Sequence, residues 1–134
     1  MNLSFSKITE VCLYVSDLDQ CLEFYHHKLG LPLISKVEGR HIFFRCGQNV
    51  LLCFLAEVTL KEARLPAHGA RGPQHIAFGC EPEAYADWKK KLQGLDIEIM
   101  QEITWPSGLQ SCYFEDPDGH VLEVVPHGLW GEER

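Results

Sequence analysis

The stretch Ser111-Cys-Tyr-Phe-Glu-Asp-Pro-Asp-Gly-His-Val-Leu-Glu-Val-Val125 decides how the chain is read. Two short apolar runs flank Asp116-Pro-Asp-Gly119, a tight-turn sequence. Strand residues alternate faces. Leu122 and Val124 therefore share one face, suited to packing on a helix, while Val121, Glu123 and Val125 share the other. A carboxylate inside a half-buried strand costs several kcal/mol unless it is paired or binds a metal. Glu123 thus calls for a partner.

Working outward, the preceding residues read as a second copy of the first half. From the N-terminus, Ile8 to Val15 alternates as a strand, with Val11, Leu13 and Val15 on one face and Glu10, Cys12 and Tyr14 on the other. Ser16-Asp-Leu-Asp19 looks like a helix start with Ser16 as N-cap. Leu18, Cys21, Leu22 and Tyr25 recur at helical spacing, and Leu29-Gly30 closes the helix. Strand-like runs follow near 31–37, 41–46 and 49–55. Residues 56–73 are rich in Pro, Gly and Ala and read as a connection. Then Gln74 to Cys80 is a strand, Pro82 fits a first helical turn, and Tyr85, Trp88 and Leu92 mark an apolar helix face ending at Gly94. Strands near 96–103, 110–115 and 120–125 complete the set. The fold class is therefore α+β: one domain over 1–134 built from two βαβββ modules, 8–55 and 74–125, joined by the linker 56–73. Matching the first strands sets Glu10 against His75. Matching the last sets Leu52 against Glu123.

The bulk numbers exclude several function classes. The 134 residues are 46% hydrophobic and 23% charged, as in an ordinary globular protein. No apolar run is long enough to span a membrane, and no signal-peptide pattern opens the chain. A net charge of -7 disfavours nucleic-acid binding. The six cysteines form no Cys-x-x-Cys pair and read as reduced, mostly buried thiols in the cytoplasm.

His75 lies on a strand face with Ala77 and Gly79, opposite apolar Ile76 and Phe78. If two curled sheets pair into a cup, Glu10, His75 and Glu123 converge at its base. One imidazole and two carboxylates suit Mn, Fe, Ni, Co or Zn, with positions left for water or substrate. The aromatic residues Tyr14, Phe54, Tyr113 and Trp105 would suit a partly apolar substrate. Asp116-Pro-Asp-Gly119 reads as turn chemistry, His120 is expected to face solvent, Tyr85 and Trp88 to pack in the core, and Lys89-Lys90-Lys91 to line a solvated helix edge.

The repeat, the Glu10-Val-Cys-Leu-Tyr-Val-Ser-Asp-Leu18 opening, Phe24-Tyr25 before Leu29-Gly30-Leu31, Gly72-Pro-Gln-His-Ile-Ala-Phe78 and Phe114-Glu-Asp-Pro-Asp-Gly-His-Val-Leu-Glu123 together resemble the vicinal oxygen chelate superfamily. That group includes glyoxalase I, extradiol dioxygenases, methylmalonyl-CoA epimerase, and the fosfomycin-resistance and bleomycin-resistance proteins. The resemblance covers about residues 8–125 and implies a glyoxalase-like cup. It implies metal ligands at Glu10, His75 and Glu123. The fourth ligand position falls on Leu52, which cannot bind metal, so the layout is closer to the fosfomycin-resistance group. There, Tyr113 and Ser107 match substrate-facing positions, whereas the phosphonate-binding Lys and Arg have no match. The tail Trp130-Gly-Glu-Glu-Arg134 is acidic where a basic group would be wanted. The resemblance also implies a homodimer with the site at the subunit interface, Glu10 coming from one chain and His75 and Glu123 from the other. Packing of the modules within one chain is the alternative.

The implied function is a divalent-metal-dependent lyase or isomerase of glyoxalase type. It acts on a small-molecule substrate with vicinal oxygens, and Glu10 or Glu123 takes a carbon-bound proton. The rivals are an extradiol-type dioxygenase, a fosfomycin-resistance-like transferase or hydrolase, and a metal-free binding module of the bleomycin-resistance type.

Overall fold

The computed structural model describes residues 2–131; Glu132, Glu133 and Arg134 of the acidic tail lie outside the described residues. The chain divides into two compact units, Met1–Arg71 and Gly72–Arg134. The boundary falls in the Pro/Gly-rich segment that also holds one short helical turn, α2 (Ala56–Thr59).

The first unit runs β1 (Glu10–Tyr14), α1 (Leu18–Cys21, continuing as a π-helix over Leu22–Lys28), β2 (Leu33–Val37), β3 (His41–Cys46) and β4 (Asn49–Phe54). Its sheet has the order β1-β4-β3-β2. The second unit repeats this with β5 (His75–Cys80), a 3-10 turn (Pro82–Ala84), α3 (Tyr85–Gly94), β6 (Gln101–Thr104), β7 (Gln110–Glu115) and β8 (Val121–Pro126), in the order β5-β8-β7-β6. In each unit the first and last strands are parallel, and the remaining pairs are antiparallel.

Registers in the two sheets match. Cys12 pairs with Leu52 in the first unit, and Ala77 pairs with Glu123 in the second. Both sets stand two residues beyond the repeat-equivalent Glu10 and His75, so the sequence alignment of the modules holds at residue level. Alternation does the rest. Leu13, Ile42, Phe44, Leu51 and Cys53 are almost fully buried on one face of the first sheet. α1 packs there on β3, with the Tyr25 and Phe44 rings 5.8 Å apart. In the second sheet Leu122 and Val124 are buried, and α3 packs on β8.

The helices depart from expectation in three places. The N-cap of α1 is Asp17, not Ser16: its backbone is extended and its Oδ1 accepts the Gln20 N–H at 3.0 Å. Beyond Cys21 the helix widens, and Leu29 N–H donates to Phe24 C=O. This winding turns Phe24 inward beside the expected Tyr25, and leaves Leu22 only half-buried. In α3 only Leu92 is fully enclosed. Tyr85 and Trp88 are half-buried rather than core, because Lys89 and Lys91 cover their rings and the Tyr85 hydroxyl donates to Glu102 at 2.7 Å. Strand β6 is shorter than expected. Asp96 adopts a left-handed φ of 58° and Ile97 N–H bonds back to Leu92 C=O, so this segment finishes the helix.

Candidate metal and substrate site

The second unit brings His75 and Glu123 together. Both project from the sheet face away from α3. Glu123 lies between two cross-strand neighbours, Ala77 and Tyr113. It is 6% exposed, whereas the His75 side chain is 51% exposed. His75 Nδ1 is 2.7 Å from the Val121 carbonyl oxygen. A carbonyl only accepts, so Nδ1 carries the proton and Nε2 of the neutral ring presents a lone pair. That Nε2 lies 3.4 Å from Glu123 Oε1. Two electron-pair donors face one another there, and a cation belongs between them: a proton, or a metal. The spacing equals that of two donors bonded at about 2.1 Å to one ion at a tetrahedral angle. An Nδ1–H held by a backbone carbonyl is the outer-shell arrangement that fixes a metal-binding histidine.

Tyr113 faces Glu123 across β7 and β8. Burial pushes its hydroxyl pKa up; the Glu123 charge and hydrogen bonding to it push the same way, and Ser111 opposes them. Ser111, fully buried, accepts the Trp105 indole N–H at 2.9 Å. Ser107 lies in the exposed turn beyond Trp105, where its hydroxyl accepts the Leu109 N–H at 3.3 Å.

The Asp116 turn is structural, as the sequence implied. Its Oδ1 accepts the N–H groups of Asp118 and His120, both at 2.9 Å, and Gly119 has a φ of 80°. His120 is a correction. It does not face solvent but is 2% exposed, and its Nδ1 accepts the Gln74 N–H at 2.9 Å. The turn thereby grips the residue before His75. No periodicity in the sequence points to this bond, because a strand-start histidine alternates equally well either way.

Glu10 lies in the first unit, exposed, at the start of β1. Among the described residues no group of three His, Cys, Asp or Glu side chains could hold a metal ion. The structure brings together His75 and Glu123. Glu10 borders a cavity of about 600 Å3 on the face of the first sheet away from α1. Tyr14, also on this wall, places its hydroxyl 2.5 Å from His68 Nδ1. Burial, with Cys12 beside it, pushes the Tyr14 pKa up to about 12. Arg40, His41 and Phe43 line the same cavity and escaped the sequence reading. The signal was present: alternation through the run 41–46 puts His41 and Phe43 on one face, and β3 pairs them with Phe54 and Leu52.

The six cysteines are all free, four of them buried. No helix among the described residues is long and apolar enough to cross a membrane.

The comparisons agree with this architecture. The profile of the Glyoxalase/Bleomycin resistance protein/Dioxygenase superfamily matches residues 7–124. A metallothiol transferase FosB from Bacillus licheniformis is 30% identical over 118 residues, covering 87% of this chain and 73% of that protein. A glutathione transferase FosA from Serratia marcescens is 29% identical, covering 88% and 79%. The crystal structure of a lactoylglutathione lyase from Agrobacterium tumefaciens superposes with a TM-score of 0.92 at 35% identity, covering 97% of this chain and all of that one. With the doubled βαβββ fold and a family profile spanning nearly its whole length, the chain belongs to the glyoxalase/bleomycin resistance protein/dioxygenase superfamily.

Proposed function

We propose that this protein is a divalent-metal-dependent lyase or isomerase acting on a small substrate with vicinal oxygens. His75 and Glu123 are two of its metal ligands, and Glu10 is the third. The carrying observation is the imidazole lone pair set 3.4 Å from a buried carboxylate. The donor set fits Mn, Fe, Ni, Co or Zn. Bound there, such an ion supplies Lewis-acid stabilisation of charge developing on a substrate oxygen.

The chain's own residues divide the remaining work. Val121 fixes the His75 tautomer, and Tyr113 crowds Glu123 from the neighbouring strand. Leu52, at the position matching Glu123, contributes no second acid, so coordination positions stay open to substrate. Glu10 is exposed and makes no hydrogen bond or ion pair among the described residues, which suits its carboxylate to accept a carbon-bound proton. Family resemblance supports a homodimer with the site at the subunit interface, and a cytoplasmic location. The exposed Leu3, Phe5 and Ile8 before β1 favour a covered surface there.

A second reading, thiol transfer, is favoured by the two transferases named above, FosB and FosA. Against a phosphonate acceptor stands the missing basic pair in the second module.

Calorimetric titration of the purified protein with Mn2+ and Zn2+ tests the metal site. One ion should bind per chain, and Glu123→Gln should weaken it more than about 100-fold, since even outer-shell changes cost 10–100-fold. Unchanged affinity in a variant that still unfolds cooperatively would end the ligand assignment.

A further inference from the structure

The first sheet's second face is unusual for a two-layer module. A face turned away from its helix is ordinarily polar. Here Cys12, Leu52, Phe43 and Phe54 occupy it, and it borders open space of about 600 Å3. Phe54 is the hub. The rings of Phe43, His41 and His68 lie 5.4, 5.8 and 4.9 Å from it, all near edge-on. His41 stacks on Phe43 with centroids 4.0 Å apart and planes 8° from parallel. The walls are therefore preformed aromatic surfaces.

The polar groups there are largely committed. The Arg40 guanidinium is paired with the Glu62 carboxylate and lies 5.5 Å from the Phe54 centroid. Its charge is already balanced. Its Nη1–H donates to His41 Nδ1 at 2.6 Å. Arginine never accepts, so His41 Nδ1 carries the lone pair and Nε2 carries the proton. No fully buried side-chain nitrogen or oxygen among the described residues lacks a partner. Among the described residues His41 Nε2 makes no bond, so it reaches open space, and His41 borders this cavity. The arrangement offers flat apolar walls, one neutral N–H donor, the Glu10 carboxylate at the border, and no uncompensated positive charge.

We propose that the first-module cavity binds a neutral aromatic substituent of the substrate, with a substrate oxygen accepting the His41 Nε2–H. A compact phosphonate or other dianion is the wrong ligand for it. This rests on the proposed function only for the word substrate. The cavity belongs to the first unit, where Glu10 borders it, and the His75–Glu123 pair to the second.

The test is a ligand-observed NMR titration of the full chain, stripped of metal with a chelator. Three probes are compared: 2-hydroxyacetophenone, hydroxyacetone (the same vicinal oxygens without the ring) and methylphosphonate. The aryl ketone should bind at least about tenfold tighter than hydroxyacetone. Phe43→Ala, at a half-buried position, should erase that preference. His41→Phe, which keeps the stack and removes the donor, should weaken the aryl ketone about tenfold. Equal binding of the two ketones by the wild-type protein, or tighter binding of methylphosphonate, overturns the proposal without reference to any variant. Unchanged affinity in His41→Phe overturns the hydrogen-bond half. A ring preference that persists in a Glu123→Gln protein with undiminished metal affinity would sink the metal assignment and leave this one standing; loss of the preference with the metal site intact would do the reverse.

Discussion

The two modules have the same order of elements, the same strand pairing and the same register, yet opposite chemistry on the corresponding sheet face. In the second, β5 and β8 set His75 beside buried Glu123. In the first, β1 and β4 place Glu10 and Leu52 at the matching positions, among aromatic side chains. Topology is thus indifferent to what the non-helical face does. The helix-facing residues alone define the fold: Leu13, Leu51 and Phe44 in one unit, Leu122, Val124 and Phe114 in the other. That leaves the opposite face free to carry a donor pair in one module and an apolar cavity in the other.

The sharpest way to break this contrast is to give the first module the second module's acid. Leu52→Glu places a carboxylate opposite Cys12 and Phe43, with Glu10 standing where the second module has His75. We expect a loss of about 2–3 kcal/mol in urea unfolding of the metal-free protein. An unchanged midpoint would mean that this face is as hydrated as an ordinary surface, and the contrast would fail.

Next in size is the turn grip that His120 makes in the second module. His120→Ala removes a nearly fully enclosed ring and leaves the Gln74 N–H without its acceptor. It should cost about 1–2 kcal/mol in the same assay. It should also weaken metal binding, because His75 is the next residue. A variant losing stability but not metal affinity would show that the grip supports the strand and not the site.

The smallest effect sharpens the first module. Burial, then the Arg40 charge, lowers the His41 pKa below 6.5. Protonation is therefore easier in the unfolded chain, and stability rises with pH through this window. The contribution of neutral His41 is present above about pH 6.5 and is lost as pH falls through its lower folded value. Denaturant unfolding at pH 7.5 and at pH 5 should show a drop that is smaller in His41→Phe. An identical drop in both proteins would assign the pH dependence to other histidines.

Much of this was legible in the chain. Period-2 alternation around Glu123 and Glu10 gave the strand faces, and the Asp116-Pro-Asp-Gly119 turn gave the hairpin. The repeat placed His75 in register with Glu10 before any coordinates. The illegible parts share a cause: each depends on a neighbour remote in sequence or on a local change of winding. The π-turn replaces Leu22 by Phe24 on the buried face, a half-step that a fixed helical period cannot express. His120 turns inward because Gln74 offers it an N–H. His41 acquires its tautomer from Arg40, and Arg40 loses its free charge to Glu62, twenty-two residues on.

The sequence by itself determined the doubled βαβββ plan and the faces of its strands, because alternation and turn chemistry act between near neighbours. It also placed an acid and an imidazole at matched points of parallel strands. Only the tertiary structure decided that His75 Nε2 lies beside Glu123, and that Arg40 is neutralised while the His41 N–H stays open. Those are questions of which donor meets which acceptor. Hydrogen bonds are settled over about 3 Å, a scale on which distance along the chain carries no information.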